Sequence, residues 1–311
     1  MKKIEGLIAA TYPPLDKTGN LDLDAIAKYV EFLVRDKVDG AFLNGSTGDF
    51  ASLTLKERKL IVEEWSRCKP KDFKLVVHVG DTCLENAKEL ASHATKFKVD
   101  AICTLAPFYY KPATVEDLIE FCKQIAESNS ESPFYYYHIP SLTGVNFDMV
   151  QFMELAVKHI TNFGGLKYSN EDLLEFKSCL DFDNGKYQVF FGVDEILLSV
   201  LALGATSAVG STYNHLTPLY HQLIHAFNNG KIEEASKLQT KIMSFVKTLS
   251  NFGFHTASKF ILSKMGMDLG PVRLPLRNLT TSETEALEKE IEQLRIIYEV
   301  EQTRQALKSM A

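Results

Sequence analysis

The chain has 311 residues, enough for one large domain or two average ones, with 45% hydrophobic and 24% charged residues, an ordinary soluble composition. A formal net charge of −6 lacks the clustered basic face that nucleic acid requires. The five cysteines, at 68, 83, 103, 122 and 179, form no CxxC pair, which argues against a zinc or redox motif and for reduced thiols in a cytoplasmic protein.

The opening MKKIEGLIAATYPP is too short an apolar run for a signal peptide, and Glu5 and Pro13 interrupt it. No later run approaches a membrane span. Eight short apolar stretches follow: 6–12, 40–44, 74–80, 101–106, 133–139, 163–167, 187–193 and 207–210. Continuous apolar runs of this length suit strands covered on both faces. The segments between them read as helices. Thr54 and Glu57 form a capping-box pair, and Thr82 and Glu85 repeat its spacing. Leu84, Ala87, Leu90, Ala91, Ala94 and Phe97 then trace one helical face. Eight strand–helix units predict a (β/α)₈ TIM barrel over residues 1–228, with a doubly wound open sheet as the rival. Residues 229–311 read as helices only, a C-terminal extension packed on the barrel. Leu287, Ile291, Leu294 and Tyr298 keep helical spacing there behind a Ser282–Glu285 cap.

In such a barrel the chemistry gathers where the strands end, at their C-terminal side. Lys167 ends an apolar, glycine-rich strand, where lysine is uncommon. Desolvation favours the neutral amine, and a neutral amine can attack a ketone. A strand-end lysine that simply reaches solvent is the competing explanation. Tyr135 and Tyr137 share one side of the fifth strand, with Tyr136 and His138 on the other. Tyr137 is the candidate proton carrier, and Tyr136 is assigned to packing between barrel and helices. The loop Gly45-Ser46-Thr47-Gly48 can present an anion nest or be a plain glycine turn. Asp194 and Glu195 suit either polyol binding or the negative first turn of a helix. His78, His138 and His215 are scattered and taken as packing or supporting groups, with no metal constellation among them.

Taken together, GSTGD at 45–49, PFYYKP at 107–112, YYYHIPSLTG at 135–144, GLKYS at 165–169, FGVDE at 191–195 and VGSTYN at 209–214 resemble the N-acetylneuraminate lyase branch of the dihydrodipicolinate synthase superfamily. The resemblance spans essentially the whole chain. It implies a homotetrameric class I aldolase without metal or organic cofactor, acting on a small-molecule substrate, N-acetylneuraminate, to give N-acetylmannosamine and pyruvate. It assigns the Schiff base to Lys167, acid–base work to Tyr137, and the pyruvate carboxylate to Ser46 and Thr47, with Thr47 also in the catalytic set. Tyr109 resembles the tyrosine that a neighbouring subunit lends to the proton relay. Ser169, Gly192, Asp194, Glu195 and Ser211 would meet the sugar-derived end. The synthase branch usually carries an arginine two residues after the proline of the fifth-strand motif. Here that position is Leu142, which cannot pair with a carboxylate. The HIP at 138–140 resembles animal-type lyases, and Asp49 stands where glutamate is commoner. The alternatives are another pyruvate-dependent aldolase of the superfamily and, in a different class, a non-catalytic barrel that binds a keto acid or sugar.

Overall fold

A computed structural model of the chain describes residues 3–309. Eight strands form: β1 Gly6–Ala10, β2 Gly40–Leu43, β3 Lys74–His78, β4 Ala101–Leu105, β5 Phe134–His138, β6 Phe163–Tyr168, β7 Gln188–Phe191 and β8 Ser207–Gly210. They pair in parallel and in sequence order into a closed barrel, so the open sheet is excluded. The strands run up to three residues shorter than the apolar stretches suggest, β7 losing the most. Tyr12 and Val193, for example, remain buried or half-buried but lie beyond the ladder. β6 instead gains Tyr168.

Helices α1 Ala25–Arg35, α2 Leu55–Cys68, α3 Leu84–Thr95 and α4 Val115–Glu127 follow the first four strands. A single turn, α5 Pro140–Thr143, and α6 Met149–His159 follow β5, and α7 Leu173–Asp181, α8 Leu197–Ala202 and α9 Tyr213–Asn228 complete the ring. The Thr54–Glu57 capping box forms as expected. The Thr82–Glu85 box does not. The N-cap of α3 is Cys83 without a side-chain cap, and its N–H is taken by the Asp81 carboxylate at 2.9 Å. The predicted apolar face of α3 does turn inward, with Ala87, Leu90, Ala91 and Ala94 buried.

Two cores result. The helices pack on the outer barrel surface through residues such as Tyr136, Phe152, Leu166 and Tyr168. Ile8, Phe42, Val76, Cys103, Tyr135, Tyr137 and Phe190 fill the interior. On β5 the alternation places Tyr135 and Tyr137 inside and Tyr136 outside, as predicted.

The β5–β6 pairing contains one irregularity that sets the site. Phe134 pairs with Phe163, but Tyr135 pairs with Gly165, so Gly164 is an extra residue on β6. From there Tyr137 aligns with Lys167. Partners across a ladder share a face. Without the slip, Leu166 would stand beside Tyr137 and Lys167 would point at the helices. Glycine is required at the bulge. Gly165 has φ +141°, and a Cβ there would lie 1.8 Å from the Gln188 carbonyl oxygen. A Cβ on Gly164 would press on the Tyr135 ring at 2.9 Å.

Beyond α9 come α10 Ile232–Asn251, α11 Phe254–Lys264, α12 Thr281–Leu294 and α13 Ile296–Ser309. The extension is not helical throughout. Residues 265–280 are irregular, with Gly266, Gly270, Pro271 and Pro275 in the stretch. The cap of α12 is a Thr280–Glu283 box, two residues before the predicted Ser282–Glu285 pair. Arg295 at φ 53° then breaks the helical run before Tyr298. Buried Arg304 of α13 meets buried Asp36 at the end of α1, with Nε to Oδ1 at 2.8 Å. No helix among the described residues is long and apolar enough to cross a membrane.

Gly165→Ala should lower the free energy of unfolding by at least about 3 kcal/mol, combining a backbone clash with an unfavourable φ. Gly204, at φ +96° with its nearest neighbouring atom 3.9 Å from an added Cβ, provides the control. Gly204→Ala should cost only about 1–2 kcal/mol. Urea unfolding of both variants checks the contrast.

Candidate active site

A cavity of about 650 Å³ opens at the C-terminal ends of the strands. Ser46 and Thr47 reach it from the turn after β2, Tyr137 from β5, Lys167 from β6 and Ser169 from just beyond. Gly192, Asp194 and Glu195 come from the turn after β7, and Ser211 from the end of β8. Nine of the ten predicted site residues therefore share one chamber. Tyr109 does not line it. It lies in the loop after β4, 77% exposed, beside the still more exposed Tyr110 at a ring distance of 5.0 Å.

Lys167 is 4% exposed, which removes the reading of a lysine reaching solvent. Its Nζ donates to Ser169 Oγ at 2.9 Å and stands 3.6 Å from the Tyr137 ring centroid. Phe42 forms a second aromatic wall at 5.1 Å. Gly192 leaves room for this group, because a Cβ there would lie 2.0 Å from Ser169 Oγ and 3.2 Å from Lys167 Nζ. The Tyr137 hydroxyl lies 3.3 Å from Ser46 Oγ. The amine thus lies over the face of the phenol ring, whose hydroxyl reaches toward Ser46.

Asn44, at φ 56°, starts the turn that carries Ser46 and Thr47. Its side-chain amide donates to the Arg58 carbonyl at 3.0 Å, and its own carbonyl accepts from His78 Nδ1 at 2.8 Å. Arg58, almost fully buried, donates to the carbonyls of Gly80 and His78. The Asp49 N–H closes the turn on the Ser46 carbonyl at 3.0 Å. The N–H groups of Ser46 and Thr47 find no acceptor among the described residues, so both remain available to an anion. His78 packs edge-on to Tyr137 at 6.0 Å. Burial, reinforced by the Arg58 charge, depresses its pKa well below the usual range. It is a neutral supporting group, in line with the sequence reading, as is His138 between Tyr136 and Tyr168.

Opposite the turn, Asp194 is buried and accepts from the Thr212 N–H at 2.7 Å and the Thr212 hydroxyl at 2.6 Å. Burial raises its pKa, against the pull of those two donors. Burial first, then the charge of Asp194, pushes Glu195 up to about 7. This end of the cavity is rich in oxygen acceptors that can meet hydroxyl groups.

Sequence reasoning missed Glu171 beyond β6, and Ser250, Phe254 and His255 from the extension, all of which line the cavity. Glu171 lies four residues after Lys167 on a loop already flagged. The other three sit at the α10–α11 junction, far from any strand end, and nothing in their local pattern marks them.

Fold and site together define a (β/α)₈ barrel whose catalytic-face cavity contains one lysine amine among the described residues, set between a phenol, a small-residue turn and a pair of carboxyls. The chain belongs to the dihydrodipicolinate synthetase family, which it matches over residues 3–294. It is 39% identical over 301 residues to the N-acetylneuraminate lyase of Rattus norvegicus, covering 95% of this chain and 94% of that one. Among solved structures, Proteus mirabilis N-acetylneuraminate lyase superposes with a TM-score of 0.92 at 34% identity, covering 95% of this chain and 100% of the other. A dihydrodipicolinate synthase from Bacillus anthracis superposes with a TM-score of 0.88 at 26% identity, covering 94% and 99%.

Glu195 makes stability depend on pH. A carboxyl that keeps its proton to about pH 7 when folded but releases it in the ordinary carboxylate range when unfolded favours the folded state below that range. The contribution is lost as pH rises through about 7. Glu195→Gln should match the unsubstituted chain at about pH 4 and be more stable by roughly 1–3 kcal/mol at about pH 8. Thermal unfolding across pH reads the difference, and parallel curves would refute it.

Proposed function

We propose that the chain is an N-acetylneuraminate lyase, cleaving N-acetylneuraminate reversibly to N-acetylmannosamine and pyruvate through a Schiff base on Lys167. The observation that carries the reading is the buried Lys167 amine, 3.6 Å from the Tyr137 ring, facing an open pair of N–H groups across the same cavity. The relatives named above support the choice of substrate. So does Leu142, 64% exposed at the cavity rim, where no guanidinium can hold the carboxylate of an amino-acid aldehyde.

In this reading the open-chain substrate lays its carboxylate on the Ser46 and Thr47 N–H groups. The Lys167 amine attacks the C2 ketone to give a carbinolamine. Tyr137 gives its proton to the departing hydroxyl, water leaves, and an iminium remains beside the phenolate. The phenolate then takes the C4 hydroxyl proton, the C3–C4 bond breaks, and its electron pair moves through C2 to the imine nitrogen. N-acetylmannosamine departs as the aldehyde. Protonation of the enamine at C3 by Tyr137 and hydrolysis release pyruvate and restore the amine. The lysine supplies the electron sink, so the scheme calls for no metal or organic cofactor. Asp194 fixes the Thr212 turn, and Glu195, Ser169 and Ser211 receive the polyol. Hydrogen-bonding groups of this kind reject analogues that lack the hydroxyl more strongly than an apolar wall does.

Tyr109 enters the scheme only through a second copy of the chain, as expected of a homotetramer in which one subunit lends it to the next. Its exposure, together with that of Tyr110 and Leu142, supports such a contact. The five cysteines, all free thiols, accord with a cytoplasmic setting.

Borohydride with pyruvate should leave a stable adduct on Lys167, located by peptide mass spectrometry. An unmodified Lys167 would sink the central claim. The chain should release pyruvate from N-acetylneuraminate, and condensation only with aspartate semialdehyde would favour the synthase branch. Reversible pyruvate binding without turnover would leave a binding module. Tyr137→Phe should lower kcat by about 10²–10⁴-fold, with the pyruvate adduct still forming on Lys167 but more slowly.

A further inference from the structure

His255 is the second residue of α11, in the C-terminal extension, yet its Nε2 lies 3.0 Å from the Ser46 carbonyl oxygen. A carbonyl can only accept, so Nε2 carries the hydrogen and donates it. The same oxygen also accepts the Asp49 N–H at 3.0 Å, which occupies both of its lone pairs. The Ser46 carbonyl and the Thr47 N–H belong to one peptide unit. That unit is planar and trans, so the two groups point in opposite directions. Whatever holds the carbonyl also aims the N–H.

The imidazole is itself held. It packs edge-on to the ring of Tyr12 at 6.1 Å. One turn further along α11, buried Lys259 donates to the carbonyls of Pro13 at 3.1 Å and Pro271 at 2.6 Å. Residues four apart lie on one helix face, so the face that bears His255 is pinned to the loop after β1 and to the irregular stretch 265–280. The donor to Ser46 therefore sits on a fixed element, which is what precise placement of a binding group requires.

We propose that His255 is a positioning residue for keto-acid binding: its Nε2–H locks the Ser46–Thr47 peptide in the orientation that presents the Thr47 N–H to the substrate carboxylate. The inference rests on the reading of that turn as the carboxylate site. It makes the extension part of the binding apparatus, through a backbone group and without touching the reacting atoms.

The test uses the full chain in the condensation direction, with His255→Phe, which keeps an aromatic ring against Tyr12 but removes the donor, and His255→Gln, whose amide can replace it. His255→Phe should raise the KM for pyruvate roughly 3- to 10-fold, the value of one hydrogen bond. Its kcat at saturating pyruvate and its KM for N-acetylmannosamine should stay within about twofold of the unsubstituted chain. His255→Gln should restore most of the loss. Should His255→Phe not fold, His255→Leu replaces it in the same comparison. An unchanged pyruvate KM, an equal loss in all three parameters, or a glutamine variant as impaired as phenylalanine would each overturn the proposal. Borohydride trapping with pyruvate and with its neutral amide separates the two levels of the argument. If the unsubstituted chain traps both alike, the carboxylate turn is misread and this inference falls with it. If the unsubstituted chain prefers pyruvate and His255→Phe prefers it equally, only the role of His255 is refuted.

Discussion

The arrangement of the strand-end cavity depends on a one-residue slip between two neighbouring strands. In a parallel ladder the side-chain period is two, so register decides which residues face the barrel axis and which face the helices. The extra glycine on β6 shifts that register once, between Phe134 and Tyr135 on the partner strand. Above the slip, Lys167 and Tyr137 stand side by side and face inward. Below it, Phe163 joins the outer core. The same strand thus supplies a helix-packing phenylalanine at one end and a buried amine at the other. No change of fold is needed, only a residue without a Cβ where the Gln188 carbonyl comes close.

Burial then shapes the groups that the slip brings together. Aromatic rings cover the amine on two sides, and a serine hydroxyl accepts its hydrogen bond. A neutral histidine lies edge-on to the tyrosine and ties it to the turn that bears Ser46 and Thr47, through the Asn44 carbonyl. Arg58 is fully enclosed, donating to carbonyls of the β3 end and standing 3.7 Å from the Asp81 carboxylate. It holds the loop shape, and its charge reinforces the burial that keeps His78 uncharged. The two carboxyls at the far side are retained with raised pKa values, because desolvation outweighs the donors offered to Asp194. The chamber has a donor end and an acceptor-rich end.

Much of this was legible in the sequence, for identifiable reasons. Strands buried on both faces appear as unbroken apolar runs, so the barrel could be read strand by strand. The alternation along Tyr135, Tyr136 and Tyr137 follows from geometry alone. The strand ends carried the polar residues, and nine of the ten candidates share one cavity. Lys167 was legible as an oddity, but its direction was not, because the parity argument fails across a bulge and Gly164-Gly165 looks like any flexible pair. Spacing alone misled at two helix starts. At Thr82 the turn geometry hands the N-terminal donor to Asp81, and at Ser282 the preceding Thr280 captures it. The contribution of α11 was hidden for a different reason. A helix residue that hydrogen-bonds a backbone carbonyl some 200 positions earlier leaves no local pattern.

The cavity wall is built from two kinds of structure. Tyr137 and Lys167 stand on strands clamped between neighbours on either side, whereas Leu142, Glu171 and Ser250 stand on a single-turn helix, a loop and the last turn of α10. Changes at the latter positions alter the mouth of the chamber without disturbing any ladder. A lineage or an engineer could therefore vary what the entrance admits while the Lys167–Tyr137 pairing is inherited intact.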